Sequence, residues 1–408
     1  MAGKANVDRS VNDPKLQAWR AHRQGLDGAL EGASPAEVLE KTGWARSVGG
    51  VGPYLTLFAR AGTSRAAADA AVAKLAIHEL PSARGCAYVV PASDFALALA
   101  AGEGFDSEMK VAEKLGVTTK EIDRLCDRIL DALGSGPKDP EELRGAVGGA
   151  VRHLGDEGKK KGLITTLPVA LGRLQPAGEI RRIPVNGRLD QQRYKYALWR
   201  PNPRAKAKFA KEEVATELAR RYFRWIGPAS LPEFQWFSAL GVKAAKEAVG
   251  PLKLVPFPGD ETRWIFPRDL DDYGAFQPPR KPQVALVSSL DGISLLRRDM
   301  KGLLRPGDET LQVLGDKALE PIGGLADLPS HGIFDRGRLV GLWEYDVPGA
   351  SLVWMSFDPK PGPDVVKAVR RTEAFVKDDL GDARSYSLDS PKSRAPRVEA
   401  IRKAGSKT

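Results

Sequence analysis

Between Lys211 and Trp225 the apolar positions Val214, Leu218, Tyr222 and Trp225 recur at three-to-four spacing, which places them on one face of a helix. Gly227-Pro228 breaks that helix. Ser230-Leu-Pro-Glu233 has the S-x-x-E form of a capping box and opens a second helix with Phe234 and Phe237 turned inward. Gly241 ends it, and Val242 to Val249 predicts a third helix exposing Lys243 and Lys246. The apolar run to Phe257 suits a strand. Three short helices and then a strand follow the plan of a winged helix, whose third helix commonly enters a DNA groove.

The same alternation occurs twice upstream. Residues 1–13 show no periodicity and are expected to be mobile. Lys15 to Leu30 reads as a helix through Leu16, Trp19, Leu26 and Leu30, and Ser34 with Glu37 forms another capping box, with Pro35 at the first helical position. ASPAEVLEKTG (33–43) and ASLPEFQWFSALG (229–241) are similar enough to suggest a repeat. After Trp44 a Gly-rich link, RSVGGVGPYLTLFAR (46–60), precedes a helical stretch from Ser64 to Leu80 and a strand from Cys86 to Val90. Asp106 to Leu115 predicts a helix, Thr118 caps another to Leu133, and Asp139-Pro-Glu-Glu starts a third. Leu163 to Leu171 and Glu179 to Val185 then read as two strands of a hairpin, the wing.

Beyond Pro278 the period changes. Val284–Ser289, Ser294–Leu296, Gly332–Phe334, Leu339–Trp343 and Ser351–Phe357 are short strand candidates separated by Gly, Pro and Asp, with a hairpin turn at Asp335-Arg-Gly-Arg338. The chain therefore divides into winged-helix-like units at 14–95, 105–190 and 208–270, a β-rich, barrel-like module at 280–358, a helix at 364–380 and a disordered basic tail at 384–408. The fold class is α+β.

Charge sharpens this division. The 408 residues carry a net +10, yet Arg144 to Lys208 alone holds fifteen Lys/Arg against Asp156, Glu157, Glu179 and Asp190. The tail from Arg384 adds seven Lys/Arg against Asp389 and Glu399. The rest of the chain is net acidic, so the positive charge is concentrated as a polyanion-binding surface requires; a solvated basic face with no partner is the bland alternative. Two cysteines, Cys86 and Cys126, imply no disulfide framework and a reducing, cytoplasmic setting, nucleoid-associated when on DNA. No secretory leader and no membrane-length apolar run is present in the sequence.

Five segments carry a resemblance: GPYLTLFAR (52–60), RGCAYVVPASD (84–94), TTLPVALGRLQPAGEIRRIP (165–184), RRYFRWIGPASLPEFQWFSALGVKAAKEA (220–248) and HGIFDRGRLVGLWE (331–344). Through them the chain, from about Leu16 to Phe357, resembles the AlkZ/YcaQ-like family of tandem winged-helix DNA glycosylases. The resemblance implies a C-shaped array gripping duplex DNA, and characterised members cleave the N-glycosidic bond of alkylated or crosslinked purines. The family's catalytic signature is Gln-x-Gln or Gln-x-Asp. Counting back from Arg60, its two positions fall on Arg46 and Val48, with Ser47 between them, and no Gln or Asp lies from Gly43 to Arg60.

Base excision needs a water at the sugar carbon and stabilisation of an oxocarbenium-like charge. Arg46 has donors only, and Val48 has neither donor nor acceptor in its side chain. Arg46 also disfavours a cationic lesion, though it can grip a phosphate bidentately. Either catalysis is lost, or another acceptor has taken over: Glu37, Glu40 and Asp69 are candidates by proximity, with Ser47 and Tyr54 as pocket candidates. DNA contacts are expected from Lys159, Lys160, Lys161, Arg181 and Arg182 around the second unit's hairpin, and from Lys243 and Lys246. Trp225, Trp236 and Phe237 have helical spacing and read as core, with base stacking as the alternative. His22, His78, His153 and His331 lack ligand spacing, Gly49-Gly-Val-Gly52 lacks the lysine of a phosphate loop and reads as a link, turn or pocket wall, and no metal or cofactor is implied. Two functions remain open for a monomer on duplex DNA: a glycosylase that excises modified bases, or a winged-helix binder without catalysis, a regulator or lesion-binding factor. A protein–protein scaffold is a third class.

Overall fold

The computed structural model describes residues 13–405 except 106, 192, 206 and 208. The expectation for the first twelve residues lies outside that range; Asp13 caps helix α1 (Pro14–Arg23), accepting the Lys15 amide at 2.9 Å. This helix stops short of Leu30 because Gly25, at φ +64°, turns the chain. Leu16 and Trp19 of α1 pack on Phe257 and Ile265, far down the chain.

The first unit comprises α2 (Pro35–Thr42), β1 (Ala45–Arg46), α3 (Gly52–Ala61), α4 (Arg65–Ala73), β2 (Ile77–Pro81), β3 (Ala87–Pro91) and α5 (Phe95–Ala101). Its sheet order is β1-β3-β2, all antiparallel. The helix before the short strand is thus α2, not α1. GPYLTLFAR is a helix rather than part of a link: Pro53 occupies its first turn, where a missing N–H costs nothing. The helical stretch expected to reach Leu80 ends early, since Leu75 at φ +55° redirects the chain into β2.

The second unit contains α6 (Ser107–Lys114), α7 (Thr119–Leu133), α8 (Pro140–Val147), α9 (Gly155–Lys160), α10 (Leu167–Leu174), β4 (Ile180–Pro184) and β5 (Tyr194–Leu198). Leu163–Leu171 is not a strand. Its apolar run enters α10, with Pro168 in the first turn, and buries Leu167, Val169, Ala170 and Leu171. A short apolar run cannot be told from a buried helix by periodicity alone. The hairpin is β4 against β5, so this sheet extends past residue 190, and Lys138 bridges to Tyr196 on β5.

In the third unit α11 (Lys211–Ile226), β6 (Ala229–Ser230), α12 (Leu231–Ser238), α13 (Val242–Val249), β7 (Val255–Phe257) and β8 (Asp260–Ile265) form a sheet of order β6-β8-β7, followed by α14 (Pro267–Ala275). The first and third units share one topology, in which the short strand after the first helix pairs with the last strand. Their cores are also fused: Trp44, Leu80 and Tyr88 pack with Tyr222, Trp225 and Phe237. The helices of the second unit pack around a core of their own.

The β-rich module carries β9 (Val284–Val287), α15 (Gly292–Leu295), β10 (Gln312–Leu314), β11 (Leu319–Pro321), β12 (His331–Asp335), β13 (Arg338–Asp346) and β14 (Ser351–Ser356). Its main sheet, β14-β13-β12-β9, is open rather than barrel-like, and Ser294 belongs to a helical turn rather than a strand. Helix α16 (Pro363–Phe375) packs back on the module and first unit, Phe375 stacking on Phe58 with ring centroids 3.9 Å apart.

The tail is not disordered. After an extended segment, α17 (Pro391–Gly405) lies against β13 and β14, burying Val398, Ile401 and Arg394. Arg394 reaches Asp382 at 2.7 Å. The composition is polar, but Asp382, just ahead of the tail, neutralises the arginine that the helix buries.

Candidate functional site

Gly43 ends α2 at φ +106°, and a Cβ there would meet the Trp225 ring at 3.2 Å. The chain can therefore leave α2 pressed against that indole. Trp44 anchors the next residue by donating to Asp94 at 2.9 Å. Strand β1 pairs Arg46 with Tyr88, and the Ser47 amide donates to the Ala87 carbonyl at 3.0 Å. The half-buried Arg46 guanidinium donates to the same carbonyl at 2.9 Å and lies 5.4 Å from the Tyr88 ring centre.

The Gly-rich run that follows receives the tail. Val51 donates to the Arg384 carbonyl at 2.9 Å, Ser387 donates to the Val48 carbonyl at 3.1 Å, and Gly49 bridges to Tyr386. A Cβ on Gly50 would come within 2.3 Å of the Arg384 and Ser385 carbonyl oxygens, so only glycine fits. Here the glycines serve close approach of two backbones rather than flexibility.

Between this loop and the tail lies a cleft of about 660 Å³, lined by Arg46, Ser47, Val48, Cys86, Tyr386, Leu388, Asp389 and Ser393. Both positions that the resemblance assigns to catalysis thus face one concavity, and a carboxylate shares it. Asp389 accepts Arg397 Nη2 at 2.9 Å on each oxygen, with Ser393 and the Ser385 amide at 3.4 Å. Arg397 is fixed in turn by Glu344 at 2.9 Å. A second carboxylate stands behind Ser47. Glu79, 7% exposed, accepts the Ser47 hydroxyl at 2.5 Å, the Tyr194 hydroxyl at 3.1 Å and Arg182 at 3.4 Å. Burial and Glu79 push the Tyr194 phenol well above its ordinary value, so it stays a donor.

None of the three acids near in sequence reaches this cleft. Glu37 is an exposed capping residue held by Ser34. Glu40 accepts from Ser93 at 2.7 Å and faces a different cleft. Asp69 accepts from Tyr54, whose hydroxyl also receives the Leu189 amide at 2.8 Å. Tyr54 is accordingly a buried core residue and not a pocket wall. Burial, with Asp69 adding to it, drives its phenol far above the usual range. Burial also raises the Asp69 carboxyl, against the lowering effect of Tyr54 and Arg65.

That different cleft is larger, about 930 Å³, between α1, α2, α11 and α14. Two of its arginines are paired, Arg23 with Asp269 at 3.3 Å and Arg221 with Asp94 at 2.9 Å, and it contains neither Arg46 nor Val48. The smaller cleft is the candidate because the chemistry converges there.

The basic residues divide. Lys159, Lys160 and Lys161 are exposed at the end of α9, with Lys160 paired to Glu157 at 2.8 Å. Lys243 and Lys246 are exposed on α13. Arg181 is half-buried on β4, its guanidinium pulled below its ordinary value by that burial. Arg182 points inward to Gln175 and Glu79, and lies 5.2 Å from the Tyr194 ring centre; it joins two units rather than facing solvent. Trp225 and Phe237 are core, while Trp236 lies between the Arg84 and Arg298 guanidiniums at 4.5 and 5.0 Å. Burial, with Arg181 and Arg182 beside it, pushes His78 down to about 3. His331 is buried between the Ser289 amide at 2.9 Å and the Ala383 carbonyl at 2.7 Å, and burial lowers it too. Among the described residues no group of three His, Cys, Asp or Glu could hold a metal ion, and no helix is long and apolar enough to cross a membrane.

The family described as DNA glycosylase AlkZ-like matches residues 51–387. Among solved structures the fold is similar to the DNA glycosylase AlkZ of Streptomyces sahachiroi, with a TM-score of 0.66 at 20% identity, covering 91% of this chain and 98% of that one. No curated protein matches the chain. The family match begins after Val48 and ends before Leu388, so the cleft joins residues on both sides of its ends: Arg46, Val48 and Asp389 lie outside the match, and Cys86 and Tyr386 lie inside it.

Proposed function

This chain belongs to the DNA glycosylase AlkZ-like family, and from that premise we propose that it acts as a monomer on duplex DNA and excises a modified base at the Arg46–Asp389 cleft. The three helix-and-sheet units are read as winged helices, with the second unit holding the DNA backbone. The C1′–N bond of the damaged nucleotide breaks as a water oxygen bonds to C1′. The water's proton passes to an acceptor, and the base leaves with the C1′–N electron pair and takes up a proton from solvent. The observation that carries this reading is the Asp389 carboxylate lining the same cleft as Arg46 and Val48, neither of which offers a side-chain acceptor. Asp389 replaces by position what the family signature supplies by sequence. Its arginine partner holds it oriented, and the long 3.4 Å contacts from Ser393 and the Ser385 amide are the ones a water would displace. Arg46 selects against cationic leaving groups and favours a neutral modified base.

The test is incubation of the protein with duplexes carrying a panel of modified bases, read as alkali-labile abasic sites. Wild type should give product, and Asp389→Asn should slow it by about 100-fold or more, as loss of a general base does. No product from any lesion at stoichiometric protein would sink the enzyme reading. One observation favours a second reading, a lesion-binding protein without catalysis: both Asp389 oxygens already accept Arg397. That reading predicts tighter binding to a damaged duplex than to an intact one, with no abasic product.

A further inference from the structure

The tail segment that closes the cleft also carries the most exposed large apolar side chain among the described residues. Leu388 is 91% exposed, ahead of Leu319 at 63%, and Tyr386 beside it is 47% exposed. Yet the backbone that bears them is pinned. Ser387 donates to the Val48 carbonyl at 3.1 Å, Asp389 to the Tyr386 carbonyl at 3.1 Å and Ser390 to the Leu388 carbonyl at 3.0 Å. The Asp389 side chain is clamped by Arg397. A few residues on, α17 buries Val398 and Ile401 against β13 and β14, whereas Leu388 stays exposed. Both Leu388 and Tyr386 line the cleft that contains Arg46.

We propose that Leu388 is an apolar wedge that enters duplex DNA at the base step from which a nucleotide turns toward the Arg46 cleft, with the Tyr386 ring as the adjoining stacking face. The inference rests on the duplex-DNA reading above but not on catalysis. Turning a base out of the stack costs its stacking free energy. An apolar side chain inserted between base steps recovers part of that loss, because it fills the gap water would otherwise enter. A wedge works only if it is preorganised and next to the receiving cavity. Leu388 meets both conditions: its turn is fixed at either side, and it forms part of the cleft wall. It lies just beyond the family-matched segment.

The test uses the full chain and a duplex with 2-aminopurine opposite the candidate base, whose fluorescence rises when its stack opens. Wild type should raise the fluorescence on binding. Leu388→Gly should keep most of the affinity and the same thermal unfolding midpoint but lose most of the rise, and Leu388→Met should retain it. An equal rise with Leu388→Gly would overturn the wedge while leaving DNA binding intact. Self-association abolished by Leu388→Ser, with the fluorescence unaffected, would assign the side chain to a second copy of the chain and also overturn it. Failure of wild type to bind any duplex at low salt would instead overturn the functional reading on which the wedge rests.

Discussion

The first and third units have the same connectivity and opposite uses. In the third, β6 ends at Ser230 and α12 begins at Leu231, so Ser230 is both the last strand residue and the helix cap. In the first, residues 47–51 intervene between β1 and α3. That added loop is the surface on which the tail docks and the floor of the cleft. The third unit, lacking it, spends its aromatics on packing: Tyr222, Phe223, Phe234 and Phe237 form one core that continues through Trp225 to Trp44. A shared topology therefore does not by itself shape a cleft; a few residues inserted at one junction do. The apparent repeat between residues 33–43 and 229–241 even falls on non-equivalent helices, since α2 precedes the short strand and α12 follows it.

If the cleft-bearing unit depends on polar clamps where the third depends on aromatic packing, breaking a clamp should have the largest effect. Arg60 of α3 holds Asp291 at 2.7 and 2.8 Å, with side chains 1% and 0% exposed. Arg60→Met leaves that carboxylate buried and unpaired, and should destabilise the fold by about 3–5 kcal/mol in chemical denaturation at neutral pH. A loss below about 1 kcal/mol would mean that α3 is held by its apolar contacts alone and that the two units do not differ in this respect.

The loop itself gives the next test. Gly50→Val must push away the Arg384–Ser385 backbone, at about 1–3 kcal/mol, and should open the tail to limited proteolysis. Gly241→Ala in the third unit has nothing within 4 Å of the new Cβ; as the N-cap of α13 it should cost about 0.5–1 kcal/mol and leave the tail protected. Protection of the tail unchanged in Gly50→Val would show that α17, not the loop, holds it in place.

These contrasts also mark what the sequence could reveal. The capping boxes at Ser34 and Ser230 were legible because the partners lie three residues apart, and both form as expected. Counting from Arg60 needs no structure to reach Arg46 and Val48, because that part of the chain is a continuous local run, and both line one cleft. Asp389 could not be found that way, since more than 300 residues separate it from Arg46 and only folding joins them. Glu79 was hidden differently: it sits on the neighbouring strand, and no local pattern announces that β2 and β1 flank β3. The tail reads as disordered because arginine reads as solvated, whereas Arg394 and Arg397 are matched by Asp382 just before the tail, by Asp389 within it and by Glu344 on β13. Arg182 misled for the same reason: its carboxylate partner, Glu79, lies in another unit.

The smallest expected effect concerns which unit faces DNA. Lys159 and Lys161 are exposed in the most basic stretch of the chain, and Lys243 and Lys246 are exposed on the third helix of a unit otherwise devoted to packing. Lys159→Glu with Lys161→Glu should weaken duplex binding about tenfold at low salt, whereas Lys243→Glu with Lys246→Glu should weaken it less, and Lys367→Glu hardly at all. Anisotropy titrations across a salt series separate contact from general charge, because each phosphate contact removed lowers the slope of log affinity against log salt by about 0.9. If reversal on α9 lowers the slope and reversal on α13 leaves it unchanged, the second unit grips the backbone and the third is scaffold. A slope change on α13 equal to that on α9 would put the third unit on DNA as well, and the contrast between a working first unit and a purely structural third would fail.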